Sequence, residues 1–469
     1  MAESKKLDEL KKKLLCDRKN GYDRFNGGEA AAMESYCVDY KAFLDAGKTE
    51  RECAAELIRL AEQAGFRPFD RGMALKAGDK VYFRNRGKSV YLACIGKKPL
   101  SAGAQITAAH IDSPRLDLKP NPLYEDNELC YFKTHYYGGI RKYQWTTIPM
   151  ELHGVVALKD GRTVTVNIGA DEGDPKLVIT DLLPHLGAEQ NKKPLGEAVP
   201  AETLNLLLGS RPIPEGEGSD RVKLAVMQLL NEKYGIVEED FTSAELEAVP
   251  AARAVDIGLD RSMIGAYGHD DRVCAYAAFR ALLDLGRTPE KTAVCILADK
   301  EEIGSDGVTG MQSAAFDTFM EDLCEAQGVP VRVCLENSFC LSADVTAAFD
   351  PNFAEVFEKR NAAYLNYGIG LCKYTGARGK SGASDANAET VAYVRSLFDE
   401  ADVLWQIAEL GKVDAGGGGT VAMYMANRNI TTLDAGVPVL SMHAPFETVA
   451  KLDCYETYKG MKAVYLAKN

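Results

Sequence analysis

The feature of this chain that most constrains its fold is a short apolar run at residues 293–298, which is followed at once by the polar stretch Asp299-Lys300-Glu301-Glu302-Ile303-Gly304-Ser305. A short, apolar and partly β-branched run predicts a buried strand. In open α/β sheets, ligands bind at the carboxyl ends of the strands. The adjacent carboxylates of Glu301 and Glu302 can therefore divide two tasks, one binding a cation and the other moving a proton. Glutamate pairs are also common on solvated loops, so the pair alone leaves both interpretations open.

Strands and helices alternate along much of the chain, which predicts an α/β fold with helices covering a sheet. Near the amino end the pattern indicates three helices up to about Ala64, then strands at 89–95 and 105–110. Beyond residue 254 it indicates helices at 271–285, 312–324 and 384–398, and strands at 292–298, 331–336 and 437–442.

The stretch from Arg115 to about Ala251 has a different character. Segments such as 152–158 and 163–168 are rich in β-formers and alternate in polarity, which predicts half-buried strands. We therefore predict one α/β domain built from residues 1–114 and 252–469, interrupted by an inserted β-rich domain at 115–251.

Composition excludes several classes of protein. A net charge of −13 disfavours nucleic-acid binding and leaves negative groups available for cations. The 12 cysteines form no Cys-x-x-Cys pair, which favours buried free thiols in a reducing compartment. The amphipathic pattern at 5–14 lacks the apolar core of a secretory signal, and no run of about 18 apolar residues predicts a membrane span. These features predict a cytoplasmic protein without a nucleic-acid or membrane partner.

Two of the 6 histidines stand at the ends of predicted strands. His110 ends the strand at 105–110, and Asp112 follows two residues later, where it can fix one ring nitrogen while the other binds a metal. His443 ends the last predicted strand in the same way. A hydrogen-bonded core histidine followed by a turn is the alternative for His110, and the repeated placement favours the metal.

Three aspartates have a similar placement. Asp270 and Asp271 precede a predicted helix, so either can cap it, or Asp270 can bridge two cations and leave Asp271 as the cap. Asp344 follows the strand predicted at 331–336, where an ordinary surface turn is the alternative.

Together these side chains form a mixed nitrogen and oxygen set that suits two divalent ions such as Zn²⁺, namely His110, Asp270, Glu302, Asp344 and His443. Glu301 remains unligated, as a general base in metal-assisted hydrolysis requires. The sequence has neither a Gly-x-Ser-x-Gly elbow nor a His-Glu-x-x-His helix, which disfavours a serine hydrolase and a zincin.

Five segments together resemble the M18 metalloaminopeptidases, which include aspartyl aminopeptidases and aminopeptidase I-like enzymes. They occur in the family's order across residues 90–465 and comprise Thr107–Arg115, His269–Arg272, Asp299–Ser305, Asn337-Ser338-Phe339 with Ser342-Ala343-Asp344, and Ser441-Met442-His443.

The resemblance implies a dinuclear zinc aminopeptidase, with Co²⁺ or Mn²⁺ as substitutes, that acts on peptides with a free N-terminus. It implies a phosphorylase/hydrolase-like α/β catalytic domain with a mixed central sheet, interrupted by a β-rich dimerisation domain. Asp270 would bridge the ions, with His110 and Asp344 on one and Glu302 and His443 on the other. Glu301 would be the general base, and Asp112 would orient His110.

The same resemblance implies dimers that assemble into a tetrahedral dodecamer. In the family, a histidine of the inserted domain reaches a neighbouring active site, and His185 is the best match here. A structural role within the β-rich domain is the alternative for His185.

Each candidate substrate contact has two interpretations. Lys380, with Arg378, can present positive charge to a substrate or belong to a solvated basic loop. Gly418 and Thr420 lie in a glycine run that either lets backbone approach the substrate or forms a flexible turn. Because Ala444-Pro445-Phe446-Glu447 follows His443, the chain departs from the aspartyl aminopeptidases, and a preference for acidic residues stays open.

Two rival functions are also compatible with these residues. A carboxypeptidase or deacylase on the same scaffold would need a cationic anchor for a substrate carboxylate. A catalytically silent assembly protein would be expected to lack Glu301 or a ligand, and the chain retains all of them.

Overall fold

The computed structural model describes residues 2–16, 18–25, 27–214 and 218–468. Its α-helices are α1 (Ala2–Leu14), α2 (Gly27–Ala46), α3 (Glu50–Gln63), α4 (Leu195–Ala198), α5 (Arg221–Tyr234), α6 (His269–Leu283), α7 (Ala315–Glu325), α8 (Val331–Glu336), α9 (Ala388–Glu400), α10 (Ala422–Ala426) and α11 (Lys451–Tyr465). Its strands are β1 (Arg67–Pro68), β2 (Lys80–Asn85), β3 (Ser89–Cys94), β4 (Ala104–His110), β5 (Arg115–Asp126), β6 (Leu129–Tyr137), β7 (Met150–Ala157), β8 (Thr163–Ile168), β9 (Val178–Ile179), β10 (Leu206–Gly209), β11 (Ala244–Pro250), β12 (Val255–Ile257), β13 (Met263–Ala266), β14 (Thr292–Ala298), β15 (Phe339–Ser342), β16 (Thr346–Ala347), β17 (Ile369–Cys372), β18 (Trp405–Ile407), β19 (Thr431–Gly436), β20 (Pro438–Leu440) and β21 (Glu447–Ala450).

A mixed nine-stranded sheet forms the centre of the fold, in the order β1-β2-β3-β14-β4-β15-β19-β17-β18. At its middle, β4 runs parallel to both β14 and β15, so the carboxyl ends of these three strands meet at one edge. In this register Ala298 lies opposite His110, and Ser342 lies opposite Ala108. Strands β4, β14 and β15 are buried along their whole length, as their apolar sequences require.

Helices cover both faces of this sheet. On one face, residues of α2, α3, α6, α9 and α11 pack into a single apolar cluster with strand side chains such as Leu92 and Leu297. On the other face, α7, α8 and α10 supply Phe316, Cys334 and Met425 to a second cluster. Burial on two faces explains why the central strands lack alternation of polarity.

A seven-stranded sheet, ordered β8-β7-β11-β5-β6-β10-β9, takes all its strands from residues between Arg115 and Pro250. Its apolar side chains form a separate core that includes Phe132, Trp145 and Leu246. A five-stranded sheet, ordered β12-β13-β21-β20-β16, follows it in the chain and lies next to the start of α6.

Two sequence predictions about strands are wrong. Residues 331–336 form helix α8 after Pro330, and the strand that leads to Asp344 is β15. Short apolar runs do not distinguish a strand from a buried helical turn, and Cys334 and Leu335 form the buried side of this one. The last predicted strand ends early, because β20 stops at Leu440 and His443 lies in the following turn with φ of 64°.

Of the 12 cysteines, Cys16 is exposed and the other eleven are buried, all as free thiols. The predicted burial of the thiols is therefore confirmed for all of them except Cys16. Within the described residues, no helix is both long and apolar enough to cross a bilayer.

Candidate metal centre

Three parallel strand ends bring the first group of polar side chains together. His110 is the last residue of β4, and Glu301 and Glu302 lie in a short turn just after β14. Asp344 follows β15 by two residues. Because β4 lies between β14 and β15, its histidine faces carboxylates from both sides.

The five-stranded sheet supplies the remaining two donors. Strand β13 leads into α6, whose first turn carries Asp270, and the turn after β20 carries His443. The predicted donors therefore come from five separate elements, and the structure brings all of them to one place.

Distances between the donor atoms place Asp270 at the middle of the group. Its Oδ1 is 3.2 Å from His110 Nε2, and its Oδ2 is 3.1 Å from His443 Nε2. His443 Nε2 is 3.5 Å from Glu302 Oε2, and His110 Nε2 is 3.9 Å from Asp344 Oδ1. The two oxygens of the Asp270 carboxylate therefore face different histidines, as a carboxylate that bridges two ions would.

The donor set fits divalent cations. His110 Nε2, Asp270 Oδ1 and Glu302 Oε1 are buried and make no hydrogen bond of acceptable geometry among the described residues, although the first two atoms lie 3.2 Å apart. A buried polar atom without a partner costs free energy, and a bound ion would satisfy these three together. Imidazole nitrogens and carboxylate oxygens are ligands that Zn²⁺ accepts.

Charge crowding shifts the protonation of these groups. Burial, and then the charge of Asp270, raise the pKa of Glu302 well above its usual value. Burial and the nearby Glu301 do the same for the pKa of Asp344. Against the effect of burial, the adjacent imidazoles of His110 and His443 hold the pKa of Asp270 below its usual value. A cation would relieve the repulsion among these carboxylates.

Asp271 does not cap the helix, so that prediction is wrong. Gly268 precedes α6, and the described residues show no side-chain cap there. Asp271 is instead buried, and its Oδ2 accepts a hydrogen bond from the backbone N–H of His110 at 3.3 Å. Its carboxylate also lies within 4.8 Å of donor atoms of His110 and Asp344.

Asp112 holds several parts of the centre at once. Its Oδ1 is 3.3 Å from His110 Nδ1 and accepts from the Glu301 N–H at 3.1 Å. Its Oδ2 accepts from the Glu302 N–H at 3.2 Å and from the Tyr137 hydroxyl at 2.9 Å. Fixing Nδ1 of His110 leaves its Nε2 facing the other donors.

Glu301 lies beside the donors and faces the open cavity. Its Oε2 is 3.8 Å from His110 Nε2, and its side chain is 18% exposed. Burial, together with the negative charges of Asp270 and Asp112, raises the pKa of Glu301 to about 7. A carboxylate with that pKa can both accept and return a proton near neutral pH.

Glu447 is a buried residue of this centre that sequence reasoning missed. Its Oε1 accepts from the His443 N–H at 2.7 Å, and its Oε2 accepts from the Asp270 N–H at 3.1 Å. Burial, and then Asp270, raise the pKa of Glu447 to about 8. Its spacing of four residues from His443 was the available signal, because β21 returns it toward the turn.

A cavity of about 540 Å³ opens next to the donors. Lys380, Gly418 and Thr420, predicted as substrate contacts, all line it, as does Arg378. The Lys380 ammonium lies 3.2 Å from the Asp385 carboxylate and 3.9 Å from the centre of the Tyr374 ring. His185 lies in an exposed turn and is not among the lining residues of the described chain.

Histidine and carboxylate donors at the edge of a mixed sheet, beside a cavity and a free glutamate, are typical of metal-dependent hydrolases. Known proteins agree with this class. The profile of the family described as Aminopeptidase I zinc metalloprotease (M18) matches residues 43–465. A probable M18 family aminopeptidase 1 of Clostridium acetobutylicum is 50% identical over 458 residues, covering 96% of this chain and 98% of that protein.

Solved structures show the same relationship. The crystal structure of an M18 aminopeptidase from Thermotoga maritima has a TM-score of 0.92 at 44% identity, covering 96% of this chain and 99% of that one. A structure of the S. cerevisiae mApe1 dodecamer shares the fold with a TM-score of 0.75 at 19% identity, covering 93% and 98%. The chain belongs to the M18 family of zinc metalloproteases and is a metalloaminopeptidase.

Proposed function

We propose that this protein is a dinuclear zinc aminopeptidase that removes the N-terminal residue of peptides, with Glu301 as general base. The observation that carries the proposal is the group of buried donor atoms around Asp270 that lack hydrogen-bond partners among the described residues. Co²⁺ and Mn²⁺ are the expected substitutes, since they accept similar nitrogen and oxygen ligands.

Within this centre we assign Asp270 as the bridging ligand. His110 and Asp344 would hold one ion, and Glu302 and His443 the other, in keeping with the distances between these pairs. Asp271 is an alternative ligand on the side of His110 and Asp344, because donor atoms of these three residues lie within 4.8 Å of one another. Replacement of Asp271 tests whether it is a ligand or only a support.

The chemistry follows from these positions. Bound ions would polarise the scissile carbonyl and lower the pKa of a water molecule toward neutrality. Glu301 Oε2 would accept a proton from that water and return it to the leaving amine. Asp112 fixes the backbone of Glu301 and the ring of His110, so base and ligand keep one relative position.

Substrate binding is assigned to the cavity. The free α-amino group needs a negative or metal partner, and the carboxylates around Asp270 provide that environment. The glycine run to Gly418 and the Thr420 side chain would approach the peptide, and Lys380 would lie near its side chains. Because Asp385 already pairs with Lys380, we expect no strong demand for an acidic first residue.

The assembly is proposed on different grounds. We assign residues 115–251 as a dimerisation domain inserted into a phosphorylase/hydrolase-like catalytic domain made of 1–114 and 252–469. We further propose a cytoplasmic homo-oligomer, with dimers forming a tetrahedral dodecamer and His185 reaching a neighbouring cavity from its exposed turn. Light scattering on the purified protein tests this part, and a monomer at working concentration would contradict it.

The catalytic proposal is tested by metal analysis together with a panel of aminoacyl substrates, each with a free or an acetylated N-terminus. We expect bound zinc, cleavage of free-amine substrates only, and loss of activity on chelation. Glu301→Gln should keep its metal and lose about 10²–10⁴-fold in kcat, because general-base catalysis contributes that much. Glu325→Gln, at an exposed helix end, is the matched control. Full activity of Glu301→Gln would contradict the assignment of Glu301 as general base. Failure of the wild type to cleave any free-amine substrate would contradict the proposed aminopeptidase activity.

A further inference from the structure

The carboxyl end of β6, in the seven-stranded sheet, lies against the metal centre. We infer that Tyr137, Gly138 and Gly139, at and just after this strand end, position the ligands of the centre. Tyr137 acts through Asp112, Gly138 through Glu302, and Gly139 through His443. The inference rests on the proposed function of these residues as metal ligands, and it makes the inserted sheet a support of the site.

Tyr137 completes the contacts of Asp112. Its hydroxyl donates to Asp112 Oδ2 at 2.9 Å, and both side chains are buried, with exposures of 7% and 0%. A carboxylate accepts about four hydrogen bonds. The backbone N–H groups of Glu301 and Glu302 donate to the same carboxylate. His110 Nδ1 lies 3.3 Å from its Oδ1 and hydrogen-bonds with the Asp112 backbone carbonyl at 3.1 Å, so Tyr137 fixes a group that all three neighbours share.

The Tyr137 ring is itself held by a buried cation. The Arg115 guanidinium lies 3.8 Å from the centre of that ring, and the two residues are cross-strand partners in β5 and β6. Asp117 at 2.8 Å, Glu247 at 3.2 Å and Glu50 at 3.4 Å surround the guanidinium. A ring packed on a fixed cation has little freedom to rotate, so its hydroxyl stays directed at Asp112.

Gly138 is required by the closeness of Glu302. A methyl group at this position would lie 3.1 Å from Glu302 Oε2 and 3.2 Å from its Cβ. The residue also has a φ of 75°, which glycine adopts without strain. The backbone at Gly138 therefore forms a wall against which the Glu302 carboxylate packs.

Gly139 sets the orientation of His443. The Gly139 carbonyl lies 2.6 Å from His443 Nδ1, so that nitrogen donates to it and Nε2 remains free to face Asp270 and Glu302. The His443 side chain is 32% exposed and lies in a turn, so it has less packing around it than the fully buried His110. A backbone acceptor from the other sheet supplies the missing constraint.

The experiment measures metal affinity, by competition of the full-length protein with a chromophoric zinc chelator, in two variants. Tyr137→Phe removes the hydroxyl and keeps the ring, and Gly138→Ala places a methyl group against Glu302. We expect each to weaken zinc binding by about 10–100-fold, as loss of an outer hydrogen bond to a ligand does. Circular dichroism confirms folding, and Tyr137→Phe decides alone if Gly138→Ala does not fold.

Two control variants distinguish the loss of a specific contact with a ligand from a general effect of the substitution. Tyr136→Phe changes the neighbouring residue, whose side chain is 40% exposed. Gly173→Ala introduces the same strain, at a φ of 90°, where a methyl group would meet no atom within 4 Å. Both should bind zinc as the wild type does. Losses in these controls equal to those in the test variants would overturn the inference.

A ligand variant distinguishes the inference from the proposal beneath it. His110→Ala should lose far more zinc affinity than any positioning variant. If His110→Ala is impaired while Tyr137→Phe matches the wild type, the positioning role is wrong and the metal centre stands. If His110→Ala binds zinc as tightly as the wild type, both fail.

Discussion

The nine-stranded and seven-stranded sheets of this protein differ in how far their strands are buried. Strands β4 and β14 are buried at every position, whereas β6 alternates between buried and more exposed residues and β8 is largely accessible. The first sheet gathers donor side chains at parallel strand ends, and the second places the end of β6 against them. Full burial between two helical layers favours precise placement of a site, and a half-accessible sheet retains a surface for other contacts.

Removing the central ligand should have the largest effect. Asp270→Ala deletes the carboxylate shared by His110 and His443, and metal ions contribute several kcal/mol to catalysis, so activity should fall by at least about 10³-fold. Zinc analysis and kcat/KM measurements check this. Asp171→Ala, at an exposed position between β8 and β9, should leave both unchanged. An equal loss in Asp171→Ala would break the distinction between the two regions.

The next largest difference between the two regions should be in the free energy of unfolding lost on substitution. Leu297→Ala empties a fully buried position of β14 and should lower the free energy of unfolding by about 2–5 kcal/mol. Leu229→Ala changes a side chain of α5 that is 66% exposed, and should cost less than about 0.5 kcal/mol. Urea unfolding measures both. A large cost for Leu229→Ala would mean that a second copy covers this face in solution.

The junction between the regions should show a smaller, pH-dependent effect. His153 on β7 lies 2.7 Å from Glu52 on α3 and 3.2 Å from Glu151. Against the effect of burial, these carboxylates raise the pKa of His153 to about 9. Since an unfolded histidine has a pKa of about 6.5, the proton favours the folded state. The resulting stability, up to about 3 kcal/mol, should be complete below pH 6.5 and lost as pH rises through 9.

His153→Gln provides the comparison for this pH dependence. The variant should be less stable than the wild type at pH 6, and the two should converge by about pH 9.5. Urea unfolding at several pH values gives the curves. Parallel curves across this range would show that folding does not raise the pKa of His153.

The sequence pattern predicted those strands, and the polar residues at their ends, that depend only on neighbouring residues in the chain. The strand over residues 292–298 and the placement of Glu301 and Glu302 just beyond it follow from one apolar run and its polar end. The strand end at His110 follows from the same rule, and the structure brings the five predicted donors together. Their roles as ligands remain a proposal.

Contacts between distant parts of the chain could not be predicted in this way. Pro330 and the packing of Cys334 turn an apolar hexapeptide into a helix, which a pattern of six residues does not reveal. Tyr137 meets Asp112 because strand β6 pairs with β5 in a particular register, and Glu447 meets Asp270 across 177 residues of chain. Such contacts depend on how sheets stack and pair.

The burial of all but one thiol gives this protein a set of built-in reporters. A thiol reagent should modify Cys16 at once in the native state and reach the other cysteines only through openings of the structure. Cys130 lies in β6 of the seven-stranded sheet, and Cys295 and Cys340 lie in β14 and β15 of the nine-stranded sheet. Mass spectrometry of the labelling rates would therefore resolve whether the two sheets open together or one after the other, without any substitution.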